Sequence, residues 1–342
     1  MAVSAQETVS TTDLYRDAIV VDASIAPRMD EAQIERMTAA GVTAVNWTVC
    51  SPHAEFEAAL AEIAAGLEVI ERHADRLLLV RRVADIAEAK RTGRVAVILG
   101  PQNLRPAHPG KFAIRVLSEL NVRICQLTYN ERNLYGDGAA EPADAGLSVA
   151  GRDAIEEMNR LRMVVDISHC GDRTTREAID ASAHPVVITH ANARALHPSP
   201  RNKTDGHLRA LAARGGVIGL ALWSPMLRFD RWPDVGDFVT HVKYVADLIG
   251  PEHVGIGTDH NESADLEEWT RNSSRGSGRY QSVTGRMGDW YTYETRCARG
   301  GSSVLNLPAV TEAIAASGFT SEEMKGILGG NFLRVFGAVW GS

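Results

Sequence analysis

The sequence predicts an α/β protein in which eight parallel strands alternate with helices and close into a (β/α)8 TIM barrel. Eight short apolar, β-branched runs recur along the chain with helix-like stretches between them, as is typical of parallel strands buried on both faces. Eight such units fit as one domain within the 342 residues of the chain. A doubly wound open sheet would be favoured by a glycine-rich phosphate loop after the first run, but Asp22 is followed by "ASIAPRMD".

Each predicted strand is a run of this kind, and each ends in one or more polar residues. In order, the runs are AIVVDAS, VTAVNWTV, VAVILGPQ, VRICQLTYN, MVVDISH, PVVITHA, GVIGLALW and HVGIGTD. The stretches between them carry the helical spacing of apolar residues, as in HAEFEAALAEIAAGLEVIERHA and GRDAIEEMNRLR. The predicted strands end near Ser24, Val49, Gln102, Asn130, His169, Ala191, Trp223 and Asp259.

One region departs from this alternation. Residues 262–303 are polar and rich in Arg, Gly, Ser, Trp and Tyr. Because the region follows the eighth predicted strand, we expect an inserted loop over the barrel mouth, within a single domain that spans residues 1–342. Long loops in compact domains are usually functional or disordered, and both a lid and a contact between subunits remain open for this one.

Composition and charge limit the function classes. A net charge of -7 argues against a general nucleic-acid binder, which would present a basic face. No stretch approaches ~18 consecutive apolar residues, and the polar N-terminal segment lacks the apolar core of a signal peptide. The four cysteines are too widely spaced to indicate a disulfide framework. We therefore expect a cytoplasmic protein that acts on a small molecule, without nucleic-acid or membrane partners.

The polar residues at the strand ends predict a metal site. Strand C-termini converge on the active site of such a barrel, which would bring together His169, His190 and Asp259. A lone strand-end histidine is more often structural, but two on neighbouring strands with an aspartate suit zinc or a similar ion. A Ser-His-Asp hydrolase is less favoured, because the chain lacks a G-x-S-x-G turn.

Several long segments resemble one known family. GLSVAGRDAIEEMNRLRMVVDISHCGDRTTREAIDASAHPVVITHANARAL, HPSPRNKTD, HVGIGTD and ILGGNFLRVF are closely similar to the membrane (renal-type) dipeptidases, peptidase family M19 of the amidohydrolase-like metallohydrolases. The resemblance covers nearly the whole chain in the right order. It implies a (β/α)8 barrel with two zinc ions that hydrolyses dipeptides by means of a metal-bridging hydroxide, and a tendency to form homodimers.

The resemblance also implies residue roles. His169 and His190 match the two histidines of one zinc, and Asp259 matches an aspartate that is both metal ligand and proton acceptor. Arg201 matches the arginine that grips the substrate carboxylate. The other site candidates are Gln102 and Asn202 for substrate binding and Tyr129 for catalysis, with a simple packing role also open for Tyr129.

The chain departs from the family pattern where the other zinc should bind. The family motif D-G-H-x-D is here "DASIA", so Ser24 replaces the histidine and Ala26 replaces the aspartate. Gln102 stands in place of the bridging glutamate. Two divalent ions ~3.5 Å apart repel by roughly 19 kcal/mol at an effective dielectric constant of ~20, unless anionic ligands offset the repulsion. The sequence therefore predicts at most one zinc ion.

Two functions follow from these observations. The first is a metal-dependent hydrolase that cleaves an amide or other C–N bond in a small, carboxylate-bearing, dipeptide-like substrate, with weak or absent activity on ordinary dipeptides. The alternative is a catalytically altered or inactive barrel that keeps the pocket and binds a small ligand, since fold alone does not determine function.

Overall fold

The computed structural model describes residues 10–262, 266–267, 269 and 280–341. These residues form nine strands, all parallel, in one curled sheet. The strands are β1 (Val21–Ile25), β2 (Ala44–Trp47), β3 (Leu77–Leu79), β4 (Val95–Leu99), β5 (Ile124–Gln126), β6 (Val164–Asp166), β7 (Val187–Ile188), β8 (Val217–Leu220) and β9 (Val254–Ile256).

The sheet curls into the predicted barrel. Its strand order is β3-β4-β2-β1-β9-β8-β7-β6-β5, so the first strand lies beside the last. A parallel bridge between Leu99 and Val122 brings the start of β5 back to the end of β4. The circuit β1-β2-β4-β5-β6-β7-β8-β9 therefore contains all eight predicted strands, and the (β/α)8 prediction is confirmed.

Helices pack around the sheet. The nine that precede β9 are α1 (Thr11–Asp17), α2 (Glu31–Ala39), α3 (Phe56–Arg72), α4 (Val83–Thr92), α5 (Lys111–Glu119), α6 (Val149–Arg160), α7 (Asp172–Ala181), α8 (Asp205–Ala213) and α9 (Val235–Ile249). Later in the chain come short helices at Gln281–Thr284 and Ser321–Lys325 and longer ones at Leu307–Ala315 and Asn331–Trp340. No helix among the described residues is both long enough and apolar enough to cross a membrane.

Strand β3 is missing from the sequence prediction. It pairs with β4 from Leu77 to Leu79, on the edge of β4 that faces β5. The strand has only three residues and follows α3 closely, so its leucines continue the apolar pattern of that helix. It occupies the gap between β4 and β5 beside the amino-terminal part of β4.

The predicted strand ends extend too far. The strand pairing stops at Asp166 and Ile188, whereas we expected it to reach His169 and Ala191. The polar residues after these points lie on the loops at the carboxyl end of the sheet. This end is the mouth of the barrel, where the candidate site residues gather.

The opposite end of the barrel is closed by the last helix, Asn331–Trp340. Phe332, Phe336 and Val339 from this helix join a buried cluster with inward-facing strand residues such as Val21 and Val187. Phe332 lies so close to β9 that a Cβ atom on Gly255 would come within 2.4 Å of its ring. The core is therefore sealed at the end away from the site.

Candidate active site

His169 and His190 meet at the barrel mouth. His169 follows β6, His190 follows β7, and both are almost completely buried. Their Nε2 atoms lie 2.8 Å apart, and the two rings meet edge to face with centroids 4.9 Å apart. The structure therefore brings together the two histidines that the sequence singled out.

Hydrogen bonds from behind orient both rings. Nδ1 of His169 lies 2.8 Å from Oδ1 of Asn130, so this nitrogen carries the proton and donates it. Nδ1 of His190 lies 2.9 Å from Oγ1 of Thr189, whose own proton is donated to Asp166 at 2.6 Å. His190 Nδ1 is therefore also a donor. Both Nε2 atoms are left as acceptors that face each other.

The surroundings keep both imidazoles neutral. Burial, together with the positive charges of Arg201 and Lys203, holds the pKa of each ring well below the usual 6.5. Neutral imidazole nitrogens with free lone pairs are the form in which histidine binds a metal. The second nitrogen of each ring is hydrogen-bonded, as is usual for metal-bound histidines.

The donor set offers two imidazole ligands for one metal ion and lacks anionic ligands for a second. The two Nε2 atoms of His169 and His190, 2.8 Å apart, are nitrogen ligands of the kind that zinc takes. Among the residues that the structure describes, no three His, Cys, Asp or Glu side chains form a group that could hold a metal. Ser24, Ala26 and Gln102 are neutral, so the repulsion between two ions would not be offset.

Asp259 contacts Ser24 and Gln102, two of the residues that depart from the family pattern. Its backbone N donates to the carbonyl of Ser24 at 2.9 Å, and its φ of 61° lies in the left-handed region that non-glycine residues rarely adopt. The side chain of Gln102 donates to Ser24 Oγ at 3.2 Å and also hydrogen-bonds the Asp259 carboxylate. The side chains of Ser24, Gln102 and Asp259 thus form one network at the barrel mouth.

The carboxyl group of Asp259 holds a proton more readily than usual. Burial raises its pKa above the ordinary 3.8, while the charge of Arg201, the His260 ring and the Gln102 hydrogen bond act in the opposite direction. A carboxylate with a raised pKa is well suited to accept and return a proton.

Tyr129 lies flat against His169. The two ring centroids are 4.3 Å apart with an interplanar angle of 24°. His53 and Tyr280 meet the Tyr129 ring edge-on, at 5.6 Å and 6.2 Å. Tyr129 therefore packs against a candidate ligand and also reaches the solvent-facing side of the site.

Arg201 is an almost completely buried cation beside this group, with 1% of its surface exposed. Its Nη2 lies 3.4 Å from the carbonyl of His190, a long contact, and its Nε has no hydrogen-bond partner among the described residues. Burial lowers the pKa of the guanidinium, and the nearby charges of Asp259 and Tyr129 oppose this shift. A buried, under-paired guanidinium of this kind suits an anionic ligand.

The side chain of Asn202 hydrogen-bonds to other groups of the protein. Its Nδ2 donates to the carbonyls of His197 and Met226, and its Oδ1 accepts from the backbone N of Asn192. These bonds fix the loop that carries Arg201. The predicted contact of Asn202 with substrate stays a prediction.

A cavity of about 790 Å³ opens beside these residues. Gln102 and Tyr129 form part of its wall, together with side chains from β2 and α3. Tyr280, from the predicted loop region 262–303, also lines the cavity. Residues 263–265, 268 and 270–279 of that region lie outside the described part of the chain.

Lys203 is a site residue that the sequence analysis did not identify. It is 1% exposed, and its Nζ donates at 2.9 Å to both the carbonyl of Cys170 and Oγ1 of Thr175. Burial lowers its pKa to about 8. It ties the loop after β7 to the turn that carries His169. Its position two residues after Arg201 was the one available signal.

Comparison with known proteins identifies the family. The model of the family described as membrane dipeptidase (peptidase family M19) matches residues 8–274. The chain belongs to the membrane dipeptidase family. The resemblance stated from sequence segments is thereby confirmed.

Membrane dipeptidase relatives with curated names are moderately similar. The chain is 33% identical over 255 residues to dipeptidase verJ of Clonostachys rogersoniana, which covers 68% of this chain and 64% of that protein. It is 32% identical over 217 residues to dipeptidase tcpJ of Claviceps purpurea, covering 60% and 49%. The aligned region thus spans about half to two thirds of the length of these relatives.

Solved structures agree with the fold. An amidohydrolase from Pseudomonas aeruginosa superposes with a TM-score of 0.89 and 30% identity, covering 98% of this chain and 100% of that one. A metallo peptidase from Rhodobacter sphaeroides, liganded with a phosphinate mimic of the dipeptide L-Ala-D-Ala, gives a TM-score of 0.76 at 20% identity, covering 95% and 100%. The second likeness bears on the fold alone.

Proposed function

We propose that the protein is a metal-dependent hydrolase that cleaves an amide bond in a small, carboxylate-bearing, dipeptide-like molecule. The observation that carries the proposal is Arg201, a buried guanidinium with an unpartnered Nε beside the His169 and His190 pair. A buried charge is costly unless it is paired, so this arrangement favours a ligand that brings a carboxylate. Membership of the membrane dipeptidase family supports the same reaction class.

His169 and His190 are the residues that would hold a single zinc ion, with water completing its ligands, since Asp259 does not join the pair in a three-ligand group. When bound, such an ion supplies a water acidified toward neutral pH and polarises a carbonyl oxygen. The neutral, Nδ1-protonated rings are already in the state this requires. The neighbouring charges of Arg201 and Lys203 oppose added positive charge at the pair, and they oppose two ions more strongly than one.

Asp259 is the proposed proton carrier. Its carboxylate takes the proton of the attacking water and later delivers it to the leaving nitrogen, so that one residue serves both halves of the reaction. Gln102 fixes the orientation of the carboxylate through its amide. The raised pKa of Asp259 keeps the protonated form accessible.

The remaining residues bind and orient the substrate. Arg201 binds the carboxylate with two parallel N–H groups, and Asn202 holds the loop that carries it. The hydroxyl of Tyr129 donates to the oxygen that gains negative charge, while stacking on His169 keeps the ring in place. Ordinary dipeptides are poor substrates in this proposal, because the second metal position has no anionic ligand.

The alternative, a ligand-binding barrel without catalysis, is favoured by one observation. No third acidic, histidine or cysteine side chain joins the histidine pair among the described residues. The cytoplasmic location and the homodimer predicted from the sequence stay predictions.

Zinc content and hydrolysis together test the proposal. Protein purified without chelator should contain no more than about one zinc per chain, and it should hydrolyse at least one N-acyl amino acid or unusual dipeptide in a panel. Chelation should abolish the activity and zinc should restore it. Asp259→Asn should lose activity but still bind the substrate.

Two equivalents of zinc that survive dialysis would contradict the single-ion site. Zinc-loaded protein that binds carboxylate-bearing amides through Arg201 but never cleaves them would establish the alternative instead.

A further inference from the structure

Two of the predicted site residues, Gln102 and Tyr129, line the 790 Å³ cavity. Gln102 belongs both to its wall and to the network of Asp259, and Tyr129 belongs both to its wall and to the stack on His169. A group that fills the cavity therefore lies against two side chains that contact Asp259 and His169. The cavity is part of the substrate site.

The cavity and Arg201 lie on opposite sides of the barrel mouth. The cavity is formed by the loops after β1 and β2 and by helix α3, whereas the loop of Arg201 follows β7. In the circuit of eight strands, β2 and β7 are diametrically opposed. A substrate whose carboxylate is bound by Arg201 must therefore cross the mouth before it reaches the cavity.

The wall of the cavity combines apolar and neutral polar side chains, the latter including His53, Gln102 and Asn261, and suits a large aromatic group with some polar atoms. Trp47, Tyr129 and Tyr280 supply aromatic surface, and Met29, Val49 and Val69 supply aliphatic surface. The charged lining residues are one arginine, Arg28, and one glutamate, Glu62, so the wall has no net preference for an ion. Its volume lies in the upper part of the range of about 300–1,000 Å³ that accommodates drug-sized ligands. A dipeptide of two small residues would leave most of it filled with water.

We propose that the substrate has two unequal parts: a small carboxylate-bearing fragment at Arg201 and, across the scissile amide, a bulky aromatic acyl group in the cavity. This proposal rests on the proposed function for the cleaved bond, while the occupancy of the cavity stands on its own geometry. It explains why a site with an incomplete metal-ligand set would still select a substrate, since binding energy from the acyl group positions the amide.

Helix α3 provides a matched pair of variants. Ala65 lines the cavity and is solvent-exposed, so a larger side chain there protrudes into the cavity without displacing core atoms. Ala64 is equally exposed but points about 100° away around the helix and does not line the cavity. Ala65→Phe therefore shortens the cavity, and Ala64→Phe adds the same side chain to the same helix without doing so.

The test is calorimetric binding to the Asp259→Asn variant, which should bind the test compounds without hydrolysing them. N-naphthoylglycine should bind about tenfold or more tightly than N-acetylglycine. Adding Ala65→Phe should abolish this difference, and adding Ala64→Phe should preserve it. Equal affinities for the two ligands, or a preference that survives Ala65→Phe in protein with unchanged thermal unfolding, would overturn the proposal.

A third probe separates this proposal from the proposed function. N-methylnaphthamide has the bulky group but no carboxylate, so its binding should be weakened by Ala65→Phe and unaffected by Arg201→Met. If Arg201→Met also leaves N-naphthoylglycine binding unchanged while Ala65→Phe still weakens it, carboxylate capture is wrong and the cavity assignment stands.

Discussion

At the scale of single residues, one buried carboxylate determines what His190 offers to the site. Asp166 accepts hydrogen bonds from the backbone and hydroxyl groups of both Ser168 and Thr189. Because the Thr189 proton is committed to Asp166, the hydroxyl oxygen must accept from His190. The lone pair of His190 Nε2 is thereby directed into the mouth.

Thr189→Val tests this relay. The substitution keeps the shape but removes the acceptor for the Nδ1 proton of His190, so the ring loses its fixed orientation. We expect zinc affinity to fall by about 10–100-fold, the usual effect of losing a partner behind a ligand. Competition titration with a chromophoric chelator measures this, with the unfolding temperature as a control for stability. Unchanged affinity would mean that the hydroxyl does not orient His190.

Arg201→Met tests carboxylate binding. A charge-assisted hydrogen-bonded contact contributes about 1.5–3 kcal/mol, so kcat/KM for a carboxylate-bearing substrate should fall roughly 10–150-fold. The same substrate with its carboxylate converted to an amide should be affected little. The variant should not lose stability, because it removes a buried cation whose Nε is unpaired. An equal loss on both substrates would show that Arg201 supports the structure and does not recognise the anion.

At the scale of elements, two strands use the same device to hold a neighbour. Asp166 in β6 binds Thr189 after β7, and Asp22 in β1 binds the backbone N and hydroxyl of Thr258 after β9. Each carboxylate lies within the barrel wall and joins two parallel strands at the level of the site. The sequence shows the repeat, as VVDAS and VVDIS.

The Asp22 clamp makes stability depend on pH. Burial raises the pKa of Asp22 to about 6, above the 3.8 of an unperturbed group, so the folded protein binds this proton more tightly than the unfolded chain. The stabilisation is fully present below about pH 4 and is lost as the pH rises through about 6. Relative to Asp22→Asn, the wild type should lose about 3 kcal/mol of unfolding free energy over that interval and then stay level.

Urea unfolding of both proteins at a series of pH values measures this difference. A difference that is constant from pH 4 to pH 7 would show that Asp22 titrates at the same pH in the folded and unfolded chain.

The sequence predicted regular strands well and features formed by separate segments poorly. The eight barrel strands were identified because each is a continuous β-branched run, and the histidines because they end such runs. The short strand β3 was missed because its leucines continue the pattern of α3. The 790 Å³ cavity and the role of Lys203 were not predictable, because both depend on how separate loops and a helix meet in space.

At the scale of the whole molecule, the two ends of the barrel have separate tasks. The mouth carries the polar network, and the far end is sealed by the helix Asn331–Trp340. Phe332 approaches β9 closely because Gly255 has no side chain to exclude it. Stability and chemistry can therefore be altered independently.

Phe332→Ala tests that separation. Removing a completely buried phenylalanine should lower the unfolding free energy by about 3–5 kcal/mol. Well below the unfolding temperature, kcat/KM and zinc content should equal those of the wild type, because the change lies at the opposite end of the barrel. Thermal unfolding and steady-state kinetics on the same preparation check both expectations. A matching loss of activity in fully folded protein would show that the two ends are coupled.

The extra strand has a consequence for how the barrel opens. The edge of β4 that faces β5 is shared by two segments. The carbonyl of Val97 accepts from the backbone N of Val80 after β3, and the carbonyl of Leu99 accepts from that of Arg123 before β5. Elsewhere in the circuit each strand meets a single neighbour along an edge. We expect the barrel to open locally at this β4–β5 junction. Amide hydrogens near residues 122–126 should therefore exchange with solvent sooner than those of β1 and β9. Helix α3 lines the cavity and is followed directly by β3. Opening of the β4–β5 junction would therefore displace a helix that forms part of the cavity.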